Sequence, residues 1–245
     1  MPEAIRLTLL ALVAFIAALL AAVTGFGGAA VLLPMLVFVV GVREAIPILT
    51  VAQLIGNASR VWFNRGELNW RVVCWFALGG VPMALVGGVL FAHAPLAALT
   101  RVLGAFLILI VVLRHMPKMR AFKTPLKGFA VIGAASSFLS ALLGSVGPLM
   151  APFFLAYGLV KGAYIGTEAL STVVMHIAKL IAYRQSAVLP LHAVVSGLAL
   201  GPIMVAGSFV GKRVVDRLPE RVFVLIIDVT LVAAGLMFLT DWGKA

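Results

Sequence analysis

The feature that most constrains this chain is a run of 36 residues, from Leu7 to Val42, that contains no charged side chain. A single helix needs only about 20 apolar residues to cross a bilayer, so a run of this length has to break or turn back. The sequence contains such a break, Thr24-Gly25-Phe26-Gly27-Gly28, and Pro34 follows it. Because clustered glycines interrupt helices, we predict one helix over about 4–24 and a short second helix over about 29–40.

The composition agrees with a chain that lies in lipid. Hydrophobic residues make up 63% of it, charged residues only 11%, and the mean hydropathy is +1.18. A soluble domain carries roughly 25% charged residues and disordered chains are poor in hydrophobic ones, so both classes are excluded. Cys74 is the only cysteine, which excludes an intrachain disulfide. The start could also be read as a secretory signal peptide, but equally apolar sequence follows without a small-residue cleavage site, which favours a retained helix.

The net charge of +11 has a membrane explanation as well. In a soluble protein such a charge would suggest nucleic acid as the partner. Here the basic side chains cluster at the ends of apolar runs, which is typical of cytoplasmic loops and of segments near anionic lipid headgroups. We therefore expect contact with membrane lipids and none with nucleic acid.

The same order of segments recurs in the second half of the chain. A second uncharged stretch, from Gly128 to Val160, is broken at Gly144-Ser145-Val146-Gly147-Pro148. At an offset of 119 the glycines of the two breaks coincide, and a basic linker without acids, Arg114 to Lys127, separates the two halves. We predict an internal duplication, with repeats over residues 1–119 and 120–245 that together form one transmembrane domain.

The predicted fold is an all-α integral membrane protein with two homologous halves of about five helical segments each, each half containing a glycine-broken helix. After the first two helices, the remaining ones are expected over about 44–64, 70–92, 96–115, 126–143, 148–157, 161–184, 190–212 and 219–240.

Two membrane topologies are compatible with this pattern. If all five segments of a half cross the membrane, the second half enters from the opposite side and the repeat is inverted. If the short helix is re-entrant, so that it enters and leaves the membrane on the same side, four segments cross and the halves run parallel. With the linker in the cytoplasm, the ten-crossing arrangement puts more basic residues inside, which favours the inverted repeat. The eight-crossing alternative stays open, because helices of 10 to 12 residues reach only about 15–18 Å.

The two breaks are the best candidates for a binding site. Matching breaks in the two halves of a membrane chain point to a transporter's substrate site. Each break is followed by a short helix whose first N–H groups are free and whose positive dipole end suits an anion. The alternative is that the glycines only permit tight helix crossing. We expect Gly27 and Gly28 to tolerate no side chain, because a Cβ would block an anion or forbid positive φ. The predicted contacts at the breaks are Gly25, Phe26, Gly27, Gly28, Gly144, Ser145 and Gly147.

The helix after each break carries polar residues three and four positions apart, which puts them on one face. Those of the first half include Gln53, Asn57 and Arg60, and at the offset of 119 they correspond to Thr172, His176 and Lys179. Ionisable groups inside a membrane are costly, so we predict that these six side chains contact the substrate. Glu168 and Asp228 are predicted as proton sites or charge partners. The alternatives are that one of these acids only neutralises Lys179, and that Arg60 extends towards the interface.

Sequence signatures of enzymes are absent. The chain has no Cys-x-x-Cys, His-Glu-x-x-His or Walker motif and no Gly-x-Ser-x-Gly, and its four histidines are scattered. We therefore expect no catalytic residue, no metal site and no cofactor.

The first break after an opening helix, the duplicated half, and Gly166-Thr167 in the eighth predicted helix together resemble the sulfite exporter TauE/SafE family, over about 4–240. The resemblance implies a permease of the prokaryotic inner (plasma) membrane for sulfite, sulfonates or related small anions. The second break departs from the pattern, because it lacks the aromatic residue and the extra glycine.

The function predicted from the sequence is a secondary transporter that exports a small inorganic or organic anion. A channel-like anion pathway of the same fold is the main alternative. From another class, an intramembrane enzyme or an assembly factor is a third hypothesis, against which the lack of a nucleophile–base arrangement argues. A homodimer is one option for the assembly.

The inverted repeat makes a topological prediction. With both termini outside, a periplasm-active reporter fused after Ala245 should be active, and the same reporter inserted at Lys123 should be silent. A cytoplasmic C-terminus would instead support eight crossings and parallel halves.

Overall fold

The computed structural model describes residues 3–24, 28–115 and 123–214, together with residues 232 and 236. Helices and short connections make up these ranges, which contain no strand. The helices are α1 (Glu3–Thr24), α2 (Gly28–Val40), α3 (Val42–Phe63), α4 (Trp70–His93), α5 (Leu96–His115), α6 (Gly128–Leu143), α7 (Gly147–Ala156), α8 (Lys161–Gln185) and α9 (Leu191–Val214). One 3-10 turn, Arg65–Glu67, connects α3 to α4.

The all-helical architecture and the predicted positions of these nine helices are confirmed. Their ends agree with the predicted ones to within about two residues, which is the usual scatter of helix boundaries. The tenth predicted helix, over 219–240, lies outside the described residues except for Val232 and Leu236, which are both helical.

The outer surface of the protein is apolar. Three of the helices are long and apolar enough to cross a membrane, over Trp70–His93, Lys161–Gln185 and Leu191–Gly211. Large hydrophobic side chains lie exposed along the helices, such as Leu78 and Val131. In water such a surface would be unfavourable, whereas in a bilayer it meets acyl chains. The chain is a multi-pass membrane protein, as predicted.

Helices from the two predicted halves pack against each other. Helix α4 packs against α6 and α8, helix α9 packs against α1 and α3, and α3 packs against α8. This set of pairs is unchanged when α1 is exchanged with α6, α3 with α8 and α4 with α9, which is the exchange that the sequence offset predicts. The division into two repeats stays a prediction, and the pairing is the observation that favours it. The helices with the polar stripes, α3 and α8, lie in contact near the centre of the packing.

Glycines allow the helix pairs to approach until their backbones touch. A Cβ on Gly133 of α6 would lie only 2.2 Å from the carbonyl oxygen of Phe76 on α4. A Cβ on Gly207 of α9 would lie 2.6 Å from the carbonyl oxygen of Phe15 on α1. Small residues at such crossings are typical of membrane helices, where close packing replaces the hydrophobic driving force.

We predict that Gly133→Ala destabilises the protein, because the added Cβ cannot be accommodated against the backbone of α4. Overpacking costs about 1–3 kcal/mol. The matched control is Gly66→Ala in the 3-10 turn, where no atom lies within 4 Å of the added Cβ. Thermal unfolding of the purified protein in detergent should show a clearly lower midpoint for Gly133→Ala and an unchanged one for Gly66→Ala. Equal midpoints would contradict the packing described for α4 and α6.

Candidate functional site

The starts of the two short helices that follow the breaks line one cavity. Helix α2 begins at Gly28 and α7 begins at Gly147, and both glycines line the cavity. At the second break, Gly144 ends α6 with a φ of +81°, a conformation that glycine adopts without strain. At the start of α7, Pro148 has no N–H, and the N–H groups of Leu149 and Met150 donate to the carbonyl oxygen of Val146. Of this first turn, the N–H of Gly147 is the donor that has no partner among the described residues. The cavity has a volume of about 30 Å³, which accommodates about two water-sized groups.

Polar side chains from α3, α6 and α8 complete the wall. They are Gln53, Asn57 and Arg60 from α3, Ser140 from α6, Ser145 from the second break, and Glu168, Thr172 and His176 from α8. The apolar part of the wall includes Ala21, Ala29, Val146, Met150 and Met175. The cavity is therefore polar on the sides formed by α3 and α8, the two helices whose stripes were predicted to bind a substrate.

An ion pair between Arg60 and Glu168 lies in this wall. The Nη1 atom of Arg60 is 3.3 Å from Oε2 of Glu168, and the two residues are only 4% and 2% exposed. Arg60 also donates to Oδ1 of Asn57 and, over 3.2 Å, to the carbonyl oxygen of Ala21 on α1. The other carboxylate oxygen of Glu168 accepts a hydrogen bond of 3.1 Å from the Thr172 hydroxyl. The alternative in which Arg60 extends towards the interface is wrong, because its guanidinium points inward.

Lys179 lies behind the cavity wall. It is fully buried, and its Nζ donates over 3.1 Å to Oγ of Ser140, which lines the cavity. The alternative that Glu168 neutralises Lys179 is wrong, because eleven positions on α8 separate the two by about 16 Å. At the offset of 119, Arg60 corresponds to Lys179 and Ala21 to Ser140. Each cation therefore donates to the matching position, one on α1 and the other on α6.

Three buried polar atoms on the cavity wall are unpaired. Nε2 of Gln53, Oγ of Ser145 and Nδ1 of His176 have no hydrogen-bond partner in the part of the chain that the structure describes. Leaving a buried polar group unpaired costs about 1–3 kcal/mol, so such groups normally have a partner. Three of them around one cavity indicate that water or a ligand occupies it.

Most of the predicted site residues come together at this cavity. Those that line it are Gly28, Gln53, Asn57, Arg60, Gly144, Ser145, Gly147, Glu168, Thr172 and His176. Lys179 reaches it only through Ser140. Gly25, Phe26, Gly27 and Asp228 lie outside the described residues.

Six residues of the wall were not predicted from the sequence: Ala21, Ala29, Ser140, Val146, Met150 and Met175. Ser140 carried a usable signal, because it is the polar residue one helical turn before the glycine at which α6 ends. The two methionines carried none, since an apolar residue in a membrane helix is expected at any position.

Glycine at position 28 allows two helices to approach closely. A Cβ on Gly28 would lie 2.7 Å from the carbonyl oxygen of Ala17 on α1 and 2.9 Å from Cβ of Ala21. Glycine at this position therefore allows α2 to start directly against α1.

No three His, Cys, Asp or Glu side chains in the described ranges are grouped so that they could hold a metal ion.

Comparison with known proteins assigns the chain to a family. The family model for the sulfite exporter TauE/SafE matches residues 10–238, which is nearly the whole chain. Neither a curated protein nor a solved structure matches it. Since the matched region contains both breaks and both polar stripes, the chain belongs to the TauE/SafE sulfite exporter family of membrane transporters.

Proposed function

We propose that this protein is a secondary transporter that exports a small oxyanion, such as sulfite or a sulfonate, across the prokaryotic inner (plasma) membrane. The substrate would bind in the cavity between the two broken helices. One observation carries the proposal: two helix starts and three unpaired polar atoms face the same buried cavity.

The chemistry of the wall favours an anion. The N–H of Gly147 and the positive dipole ends of α2 and α7 attract negative charge. Among the described residues in and behind the wall, the charged side chains are the cations Arg60 and Lys179 and the carboxylate of Glu168, so positive charge is in excess. Discontinuous helices with their N-termini aimed at an anionic group are a known arrangement of transporter sites.

The size of the cavity favours a small substrate. About 30 Å³ accommodates an ion of a few heavy atoms and is too little for a large organic solute. A cavity of this size also favours a binding step over a wide open path, which supports a transporter over the channel-like alternative. A membrane potential that is negative inside favours the exit of an anion, by about 2.3 kcal/mol per charge per 100 mV.

The pairing of helices supports two equivalent halves, and in this proposal they form an inverted repeat that changes access by movement of one half against the other. In this proposal the site lies between the two halves, and α3 and α8 supply polar side chains to it. The apolar surface supports contact with lipids, and assembly as a homodimer stays a prediction.

Flux measurements with a matched pair of serine variants test the proposal. Ser145 lines the cavity, whereas Ser137 is equally buried and unpaired but lies outside the cavity wall. A hydrogen bond to a charged group contributes about 1.5–3 kcal/mol, so Ser145→Ala should raise the half-saturating anion concentration roughly ten- to a hundredfold. Ser137→Ala should leave it unchanged.

Proteoliposomes of purified protein provide the readout, with sulfite, sulfate, methanesulfonate and acetate as test anions. We expect saturable flux of at least one oxyanion of sulfur. Flux that rises linearly with concentration would favour the channel-like pathway, and the absence of anion flux would contradict the transport proposal. Equal effects of the two serine variants would contradict the site.

A further inference from the structure

We propose that Glu168 is a built-in counter-anion that the transported anion displaces from Arg60, and that the released carboxylate then takes up one proton, so that a dianion binds together with a proton. This inference rests on the proposed function and specifies how the charge of its site stays balanced when an anion binds.

The geometry makes Glu168 and a bound anion competitors. Oε2 of Glu168 lies 3.3 Å from Nη1 of Arg60, and both residues line the cavity. An anion in the cavity that bonds to the guanidinium therefore meets a donor that already has an anionic partner. Charge-assisted hydrogen bonds to a guanidinium are strong and directional, so the two anions cannot share its best positions.

The carboxylate is the partner that can leave. Arg60 is held by further hydrogen bonds, to Asn57 on its own helix and to the carbonyl oxygen of Ala21 on α1. Among the described residues, Glu168 accepts one other hydrogen bond, from the hydroxyl of Thr172 one turn along α8. A change in the side-chain torsions of Glu168 frees the guanidinium without moving a helix.

The buried charges in and behind the cavity wall determine how many protons bind to Glu168 when an anion enters. Arg60 faces it from α3, and Lys179 lies behind the cavity through Ser140 of α6. On its own helix Tyr164 and His176 are the other titratable groups nearby. Glu67 on the 3-10 turn is exposed and lies against Gly162, a turn and a half before Glu168.

Among the described residues in and behind the wall, two charged cations, Arg60 and Lys179, accompany the one carboxylate of Glu168, so a bound monoanion balances the charge. A dianion would leave three negative charges against two positive ones in a medium where unpaired charge is costly. One proton on Glu168 restores the balance.

The step is balanced in atoms and charge. The proton comes from the solution on the side to which the cavity is open, and it forms an O–H bond on the carboxylate that has left Arg60. When the anion departs, the proton returns to solution and the carboxylate pairs with Arg60 again. A dianion and its proton thus carry one net negative charge, the same as a monoanion that binds alone.

Calorimetric titration of the purified full chain tests this, with sulfate as the dianion and methanesulfonate as the monoanion, since both keep a fixed charge near neutral pH. Titrations in buffers of different ionisation enthalpy give the number of protons bound. We expect uptake of about one proton with each sulfate and none with methanesulfonate. The association constant for sulfate should therefore fall about tenfold for each unit by which the pH rises, because binding is linked to the uptake of one proton.

The variant Glu168→Gln keeps the size of the side chain, removes its charge and replaces one acceptor oxygen by an NH2 donor, as in the protonated acid. It should bind sulfate without proton uptake and independently of pH, and it should bind methanesulfonate more than tenfold tighter, because the competing carboxylate is gone. A purely structural role for Glu168 would not change the proton count. The wild-type measurement does not depend on whether the variant folds.

Several results would overturn the inference. They are sulfate binding to the wild type without proton uptake, binding of methanesulfonate but not of sulfate, and proton uptake that persists in Glu168→Gln but is lost in His176→Gln. In all of these an anion still binds, so the proposed function survives. If neither anion binds to the wild type or to the variant, the proposed function fails with the inference.

Discussion

Backbone groups that a broken helix leaves unpaired inside a membrane have to be satisfied by protein, water or a ligand, because lipid offers no hydrogen bond. This constraint applies twice in this chain, where α2 and α7 begin. The structure meets it by directing both helix starts to one cavity and by lining that cavity with polar side chains of α3 and α8. The central crossing of α3 and α8, and the packing of α4 and α9 around them, provide the scaffold for this arrangement.

The charged groups at the cavity follow from the same constraint. A buried ion pair contributes little to stability compared with well-packed apolar side chains, and removing one partner is strongly destabilising. The retention of Arg60 and Glu168 on the wall of a cavity therefore suits a role in binding more than a role in holding α3 to α8. The glycine contacts between α4 and α6 and between α9 and α1 already provide close packing of the scaffold.

The sequence predicts the helices and the breaks well, because both depend on local signals. Clustered glycines mark where α1 and α6 end, and spacings of three and four residues mark the inward faces of α3 and α8. The partner of Arg60 was not predictable in this way. Its carboxylate comes from a residue 108 positions away, and only the crossing of the two helices brings the two together.

Two further details depend on tertiary packing. Lys179 lies behind the cavity wall because Ser140, on a different helix, lies between its Nζ atom and the cavity. A Cβ on Gly28 would collide with α1. The sequence around the start of a helix does not show which other helix packs against it.

A structure of the protein with selenite, the heavier analogue of sulfite, tests the central claim most directly. Anomalous scattering from selenium locates the anion without reference to the side chains around it. The account predicts a selenium peak inside the cavity, between the starts of α2 and α7 and within hydrogen-bonding reach of the Arg60 guanidinium. A peak elsewhere in the molecule, with the cavity empty while selenite binding is measured in solution, would contradict it.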